Sequence, residues 1–145
     1  MKYFSFITFT VLAVLTSSAQ ASISPEAREV LAANTGRVMG TPQSLLNNFG
    51  TCYIEVRDEV DRAGRRSAYV EYFAGFSSNP QVIRVDLLNG SGSWTVDSAT
   101  NTLIWTAPKG SSKPNLALEF DAKSLEFTNA TYAGATKQCK NFERN

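Results

Sequence analysis

Residues 51–74 read TCYIEVRDEVDRAGRRSAYVEYFA, two runs of alternating apolar and polar side chains separated by a charged turn. In the first run Cys52, Ile54 and Val56 share one face, and in the second Val70 and Tyr72 do so. Successive side chains of a strand point to opposite faces of the sheet, so this period of two is typical of half-buried strands. The stretch therefore predicts an antiparallel β-hairpin with one apolar face.

The connection between the two runs selects the register of this hairpin. A three-residue loop over 62–64, with Gly64 in the left-handed conformation, is a favoured hairpin turn. It places Asp61 opposite Arg65 and Val56 opposite Val70. A two-residue loop would set Val56 against a glutamate, so the apolar pattern itself favours the three-residue loop.

A second hairpin is predicted at Asn89-Gly90, a strong short hairpin signal. A two-residue turn there would pair Val85 with Trp94. The chain then returns after the polar loop 97–102, which places Trp105 beside Trp94 as a cross-strand neighbour.

Further alternating runs at 116–120, 125–127 and 136–142 bring the expected total to about eight strands. With no helical pattern between them, they predict a mainly β domain built as an antiparallel meander. The side chains expected to point inward are apolar or aromatic and large: Ile54, Val56, Val70, Tyr72, Ile83, Val85, Trp94, Trp105, Leu118, Phe120 and Phe127.

Cys52 and Cys139 are the only cysteines, and an oxidising compartment would join them. They lie on the first and last predicted strands of a domain over 51–145. Adjacency of those strands would close a meander into a barrel, so we favour a closed barrel over a two-sheet sandwich. A Greek-key sandwich could also bring them together. Free or catalytic thiols are the alternative, but a CxxC spacing and an activating histidine are both absent.

Residues 22–50 carry helical signals instead. Ser24 is suited to cap a helix that has Pro25 at its first position, and 34–36 supplies a stop. Thr41-Pro42 repeats the start signal before Leu45, Leu46 and Phe49. We therefore expect one or two short helices packed on the β domain.

Residues 1–21 have the pattern of a cleaved signal peptide. Lys2 gives a positive start, 4–15 is apolar, and a small-residue tail ends at Ala21. The apolar run is shorter than the ~20 residues that span a bilayer, so no membrane anchor is expected. Cleavage after Ala21 would leave Ser22 at the new N-terminus. Because this residue is not a cysteine, a lipoprotein anchor is not expected. The expected location is secreted or periplasmic.

Charge and composition exclude several functions. The chain has 14 Lys+Arg, 13 Asp+Glu and no histidine. A formal charge of +1 gives no bulk attraction for nucleic acid. Without histidine there is no Ser-His-Asp or Cys-His nucleophile and no His-ligated zinc or haem. We expect a monomer that binds no metal and no cofactor, and a function that is not catalytic.

One enzyme hypothesis survives, because the first hairpin sets Glu55 beside Glu71 on the polar face. Paired carboxylates are the acid and base of glycoside hydrolases. Solvated faces of half-buried strands explain the pair better. A second pair, Glu119 beside Glu126, is expected from the hairpin at 122–123.

The loop over 107–115 is the preferred binding element. It displays Lys109, Gly110, Ser111, Ser112 and Lys113 between two prolines. A stiffened, positively charged loop on a disulfide-closed scaffold is typical of recognition or inhibitor loops. The primary hypothesis is a non-catalytic binding module for a protein or glycan partner, acting as an inhibitor or an envelope-associated factor.

A small apolar ligand in the barrel is the alternative, with Trp94, Trp105 and Tyr72 lining its pocket. The inward side chains are bulky, which favours a filled interior. Asn89 and Asn129 begin Asn-x-Ser/Thr sequences, which matter only if export follows a eukaryotic route.

Overall fold

The computed structural model describes residues 22–43, 50–76, 81–132 and 137–144. The expected signal peptide over 1–21 lies outside the described residues. Ten strands and one helix are present in the described part, so the protein is mainly β. In chain order the elements are β1 (Ser22–Ile23), α1 (Pro25–Ala33), β2 (Gly36–Gln43), β3 (Gly50–Val60), β4 (Arg66–Phe76), β5 (Gln81–Asp86), β6 (Ser93–Asp97), β7 (Thr102–Thr106), β8 (Leu116–Phe120), β9 (Phe127–Tyr132) and β10 (Lys137–Glu143).

All ten strands belong to one mixed sheet, in the order β1-β6-β7-β8-β9-β10-β2-β3-β4-β5. Only the short β1 pairs in parallel, with β6. The rest forms two antiparallel meanders, β6 to β10 and β2 to β5, joined by the pairing of β10 with β2. The sheet curls into a half-barrel. The expectation of a closed barrel was wrong, because among the described residues no pairing joins the two ends of this order.

The first hairpin has the register that the apolar pattern predicted. Val56 lies opposite Val70, and the Asp61 N–H donates to the Arg65 carbonyl oxygen over 2.9 Å. Gly64 adopts a φ of 81°, the left-handed conformation that the three-residue loop requires. Local turn chemistry and side-chain alternation point to the same structure here.

The disulfide between Cys52 and Cys139 is present, but it does not join adjacent strands. It links β3 to β10, and β2 lies between them. Next-but-one strands lie about 9.5 Å apart in a flat sheet, whereas these two Cα atoms are 6.2 Å apart. The sheet therefore curls sharply here. Gly40 permits the crossing, because a Cβ at that position would lie 2.5 Å from the Cys139 sulfur.

The predicted first helix is α1, and its cap is the expected one. The Ser24 side chain accepts a hydrogen bond from the Ala27 N–H over 3.1 Å, and Pro25 is the first helical residue. The helix ends at Ala33, and its C-cap residue, Asn34, is 2% exposed. The Asn34 side chain donates to the Leu125 carbonyl and accepts from the Phe127 N–H, which fastens the helix to the start of β9.

A second helix does not begin at Thr41-Pro42, because both residues belong to β2. Leu45, Leu46 and Phe49 lie outside the described residues. β2 buries Val38 and fills the position between β10 and β3. Pairing on both sides of this segment outweighs its local start signal for a helix.

The hairpin expected at Asn89-Gly90 is also wrong, since β5 and β6 do not pair in the described structure. The Asp86 carboxylate accepts hydrogen bonds from the Leu88 and Asn89 N–H groups over 2.8 and 3.1 Å. This Asx-type turn bends the chain away from β5. β6 then pairs with β7 and with β1.

One continuous core fills the concave side of the sheet. Trp94 lies opposite Trp105, as predicted, with ring centroids 6.5 Å apart. Every side chain expected to point inward is buried in this core, and α1 adds Ala27, Val30 and Leu31. In the residues that the structure describes, no helix has the length and apolar character needed to cross a membrane.

Candidate functional site

The convex face of β2 to β5 carries a buried carboxylate. The Glu55 side chain is 6% exposed although it points away from the core. Arg37 donates to its Oε1 over 3.0 Å, and Arg57 donates to its Oε2 over 3.2 Å. Glu55 is thus covered by the two guanidinium groups that neutralise it.

These contacts determine the charge of Glu55. Burial by itself would raise the pKa of Glu55, but the hydrogen bonds from Arg37 and Arg57 outweigh it and the pKa is lowered. Glu55 is therefore a stable carboxylate at neutral pH and is poorly suited to donate a proton.

Glu71 lies directly opposite Glu55 across the β3–β4 pair, as the hairpin register predicted. The Tyr53 hydroxyl donates to Glu71 Oε1 over 2.5 Å, and Arg84 approaches the other oxygen at 3.9 Å. Burial and this hydrogen bond raise the pKa of Tyr53 to about 12. The repulsion between the two carboxylates is reduced because each has its own partners. Glu55 pairs with two arginines, whereas Glu71 accepts from Tyr53 and lies near Arg84.

Arginines and aromatic rings alternate across the same face. The Arg37 guanidinium lies 4.0 Å from the Tyr53 ring centroid, and Tyr53 stacks on Phe73 at 5.2 Å. Arg84 lies 3.6 Å from the centroid of Tyr69. We call this set the outer-face ladder: Arg37, Tyr53, Glu55, Arg57, Tyr69, Glu71, Phe73 and Arg84. Each arginine contacts a glutamate of the set, Arg84 only at 3.9 Å, and three arginines against two glutamates leave one positive charge in excess.

Glu55 does not fit one role in glycoside hydrolysis. The acid of such a centre is a carboxyl group with a raised pKa, whereas the pKa of Glu55 is lowered. A depression of about 210 Å³ lies beside Glu55, between Thr35 and Glu59. The second carboxylate pair was wrong, because Glu119 lies opposite Asn129 and a register shift follows it.

The 107–115 loop is held by hydrogen bonds close to its own backbone. Asn115 Oδ1 accepts from the Ala107 N–H over 2.9 Å and so closes the base of the loop. The Ser111 N–H donates to the Pro108 carbonyl over 3.0 Å, and the Lys113 N–H donates to the Ser111 hydroxyl over 3.1 Å. The loop is therefore shaped in advance, while all five predicted binding residues, from Lys109 to Lys113, are exposed.

This loop lies across an opening in the half-barrel. A depression of about 330 Å³ separates it from β5. We call this opening the seam. Its lining includes Arg84 and Asp86 of β5, Ser91, the buried Trp105, and Ser111 and Lys113 of the loop. Of the predicted binding residues, Ser111 and Lys113 line the seam, and Lys109, Gly110 and Ser112 lie on the exposed remainder of the loop.

The seam carries more positive than negative charge. Arg84 is 55% exposed, and its contact to Glu71 at 3.9 Å is long. Lys113 takes part in no ion pair within the described ranges. Asp86 is the one carboxylate in the lining, and it already accepts two backbone N–H groups. The seam therefore offers donors to an anionic group.

The three residues predicted to line an interior pocket are core residues. Tyr72 and Trp94 are fully buried, and Trp105 is 2% exposed. The Trp105 indole donates to the Ser91 carbonyl over 3.1 Å, so it supports the seam from beneath. In the described structure the Tyr72 hydroxyl and the Trp94 indole N–H have no hydrogen-bond partner.

The two glycosylation sequences lie in different settings. Asn89 is exposed in the turn after β5. Asn129 lies within β9, and its amide donates to the Glu119 carboxylate over 2.8 Å. A glycan on Asn129 would have to break that contact, whereas Asn89 is free of such a restriction.

Two contributors were missed from the sequence, Arg37 and Arg84. The sequence pattern placed Arg37 in a helical segment. In the structure it belongs to β2, where Val38 and Pro42 are buried and Arg37 lies on the opposite, exposed face. Arg84 was expected inside a hairpin. Its role at the seam depends on β5 being an edge strand, which no local pattern shows.

Comparison of the chain with protein-family models, with curated proteins and with solved structures finds no match.

Proposed function

We propose that this protein is an exported, non-catalytic binding module that recognises a macromolecular partner at the seam, through the 107–115 loop. The observation that carries the proposal is the position of this loop. It is pinned by its own hydrogen bonds, and it forms one wall of an open depression whose other wall is a strand edge.

Pre-organisation is what makes this loop suited to binding. Ordering a flexible loop on association costs free energy, and a loop that already has its bound shape avoids much of that cost. The exposed Lys109 and Lys113 supply charge, and the backbone around Gly110 is open, since a Cβ there would meet nothing within 4 Å. Two exposed cations on a rigid frame favour a partner with an anionic surface.

The disulfide supports export, because such bonds persist in oxidising compartments. An apolar carrier is less favoured, since the side chains expected to line its pocket pack against one another in the core. A hydrolase is less favoured as well, since Glu55 is held as a paired carboxylate.

The test is capture of a partner by the purified, disulfide-bonded protein from the envelope or secreted fraction of the producing cells. We expect the double variant Lys109→Ala/Lys113→Ala to lose at least about tenfold in captured partner, because both changes remove positive charge from the recognising loop. Its melting temperature should stay unchanged, since both side chains are exposed.

Lys123→Ala is the matched control, since Lys123 is an exposed lysine in the turn between β8 and β9. It should capture as much as the wild type. Equal capture by the double variant and the wild type would refute a role for the loop.

A further inference from the structure

β5 is the last strand in the sheet order, and within the described residues nothing pairs with its outer edge. The Leu87 N–H donates to the Ala68 carbonyl over 2.9 Å, and Tyr69 lies opposite Asp86. In an antiparallel ladder the residues alternate between facing the partner strand and facing away. Residues 81, 83 and 85 therefore face β4, and the backbone groups of Val82 and Arg84 face outward.

This edge lacks three of the features that commonly block strand pairing. Natural edge strands are often blocked by proline, by a bulge or by extreme shortness. β5 has six residues, no proline, and an unbroken register with β4. Val82 is 54% exposed beside the free backbone groups. A regular, accessible edge of this kind is a template for an added strand.

The seam lies along the same edge. The 330 Å³ depression is lined by β5 on one side and by the loop on the other. A strand added to β5 would lie about 4.8 Å from it and so would run into this depression. The loop wall would then contact the side chains of the added strand.

The charges along the depression indicate which kind of peptide strand would fit there. Arg84 of β5 and Lys113 of the loop both line the depression, and the Arg84 guanidinium lies over the Tyr69 ring of β4. The single carboxylate of the lining, Asp86, is occupied by the N–H groups of the following turn. An acidic side chain on the added strand would complete the pairing of both cations.

We infer that β5 takes an extended, acidic peptide segment of the partner as an additional antiparallel or parallel strand, held by the free backbone groups of Val82 and Arg84 and by the cations Arg84 and Lys113. This inference rests on the proposed function and specifies the partner chemistry at the same site.

The probe is a display library of short peptides in which β-branched residues alternate with randomised positions. The wild-type protein should enrich peptides with Asp or Glu at the randomised positions. Arg84→Glu should shift the selection towards Lys and Arg, because the charge at the edge is reversed. A library that enriches no peptide, or enriches basic peptides on the wild type, overturns the inference.

Val82→Pro tests the strand addition itself. Proline removes the outward N–H, and because that group does not bond to β4, the ladder within the sheet is kept. We expect the selected acidic peptides to lose at least about tenfold in affinity, whereas Val82→Thr, which keeps the N–H, should bind like the wild type. Equal binding by Val82→Pro, with its melting temperature retained, contradicts strand addition. If the proline variant fails to fold, the charge reversal at Arg84 still decides the question.

Sedimentation of the wild type tests whether the edge of β5 is instead occupied by a second copy of this chain. A dimer that Val82→Pro dissociates would mean that β5 pairs with a second copy, and the inference would fail. Full capture of the native partner by Val82→Pro would leave the loop-based function standing without strand addition. Full capture by Lys109→Ala/Lys113→Ala would instead remove the proposed function.

Discussion

The two meanders of the sheet meet on one side of the half-barrel and stay apart on the other. Where β10 meets β2, a backbone ladder and the Cys52–Cys139 disulfide close the sheet. Where β5 and β6 follow each other in the chain, only the 87–92 connection joins them, and the seam is left open. Strands far apart in sequence are thus closed covalently, whereas strands next to each other in sequence are not paired.

We expect the open side of the half-barrel to depend on the closed side, because an unpaired edge keeps its position only if the rest of the sheet cannot unroll. The closed side supplies that restraint, and it leaves the open side available for ligands. The predictions below test this division of roles.

The largest effect is expected from Cys52→Ser/Cys139→Ser. The bridge closes a separation of 87 residues, for which the chain-entropy model gives about 4 kcal/mol of stability. Urea unfolding of the wild type and the variant measures it, and reduction of the wild type should reproduce the loss. A change below about 1 kcal/mol would mean that the ladder alone closes this side.

Gly40→Ala should destabilise next most strongly. Its Cβ would lie 2.5 Å from the Cys139 sulfur and 2.7 Å from a Phe142 ring carbon, both in the buried crossing. Overpacking of this kind costs about 1–3 kcal/mol. In the disulfide-free variant the cost should be smaller, because one of the two contacts is relieved. An equal cost in both backgrounds would show that Gly40 does not serve the crossing.

The smallest effects are expected from removing the carboxylates that pair with Arg57. Glu55→Gln leaves Arg37 and Arg57 without their buried partner, so we expect a loss of about 1–2 kcal/mol at neutral pH. Glu59→Gln, which removes an exposed partner of the same Arg57 at 3.2 Å, should cost less than about 0.5 kcal/mol.

The lowered pKa of Glu55 determines how its contribution to stability changes with pH. Its pKa is lowered in the folded protein from the ordinary value of 4.5, so its stabilisation is present above that value and is lost as pH falls through the folded pKa. The stability difference between the wild type and Glu55→Gln should therefore be greatest near neutrality and shrink in acid. A difference independent of pH would show that Glu55 acts through packing and not through its charge.

Short-range signals were reliable where one segment contains all the interacting groups. The β3–β4 register and the Ser24 cap were predicted correctly, because turn geometry and side-chain alternation act over a few residues. The Asn89-Gly90 signal failed where the Asp86 side chain accepts the Leu88 N–H, a group that the expected hairpin would need to close its turn. β2 was missed because Gly40 and Pro42 obscure the alternation around Val38.

The candidate site divides in the same way. The exposed loop from Lys109 to Lys113 could be recognised from its composition. The seam opposite it could not, because it lies along the outer edge of β5, which has no partner strand among the described residues.

The sequence by itself determined most of the strands, the β3–β4 register, the first helix and the pair of cysteines, because each depends on local periodicity or on there being one possible pairing. Only the tertiary structure decided that β2 lies between β10 and β3 and that β5 and β6 stay apart. Both outcomes depend on which faces bury together across distant parts of the chain, and that balance of burial and chain closure has no local signature.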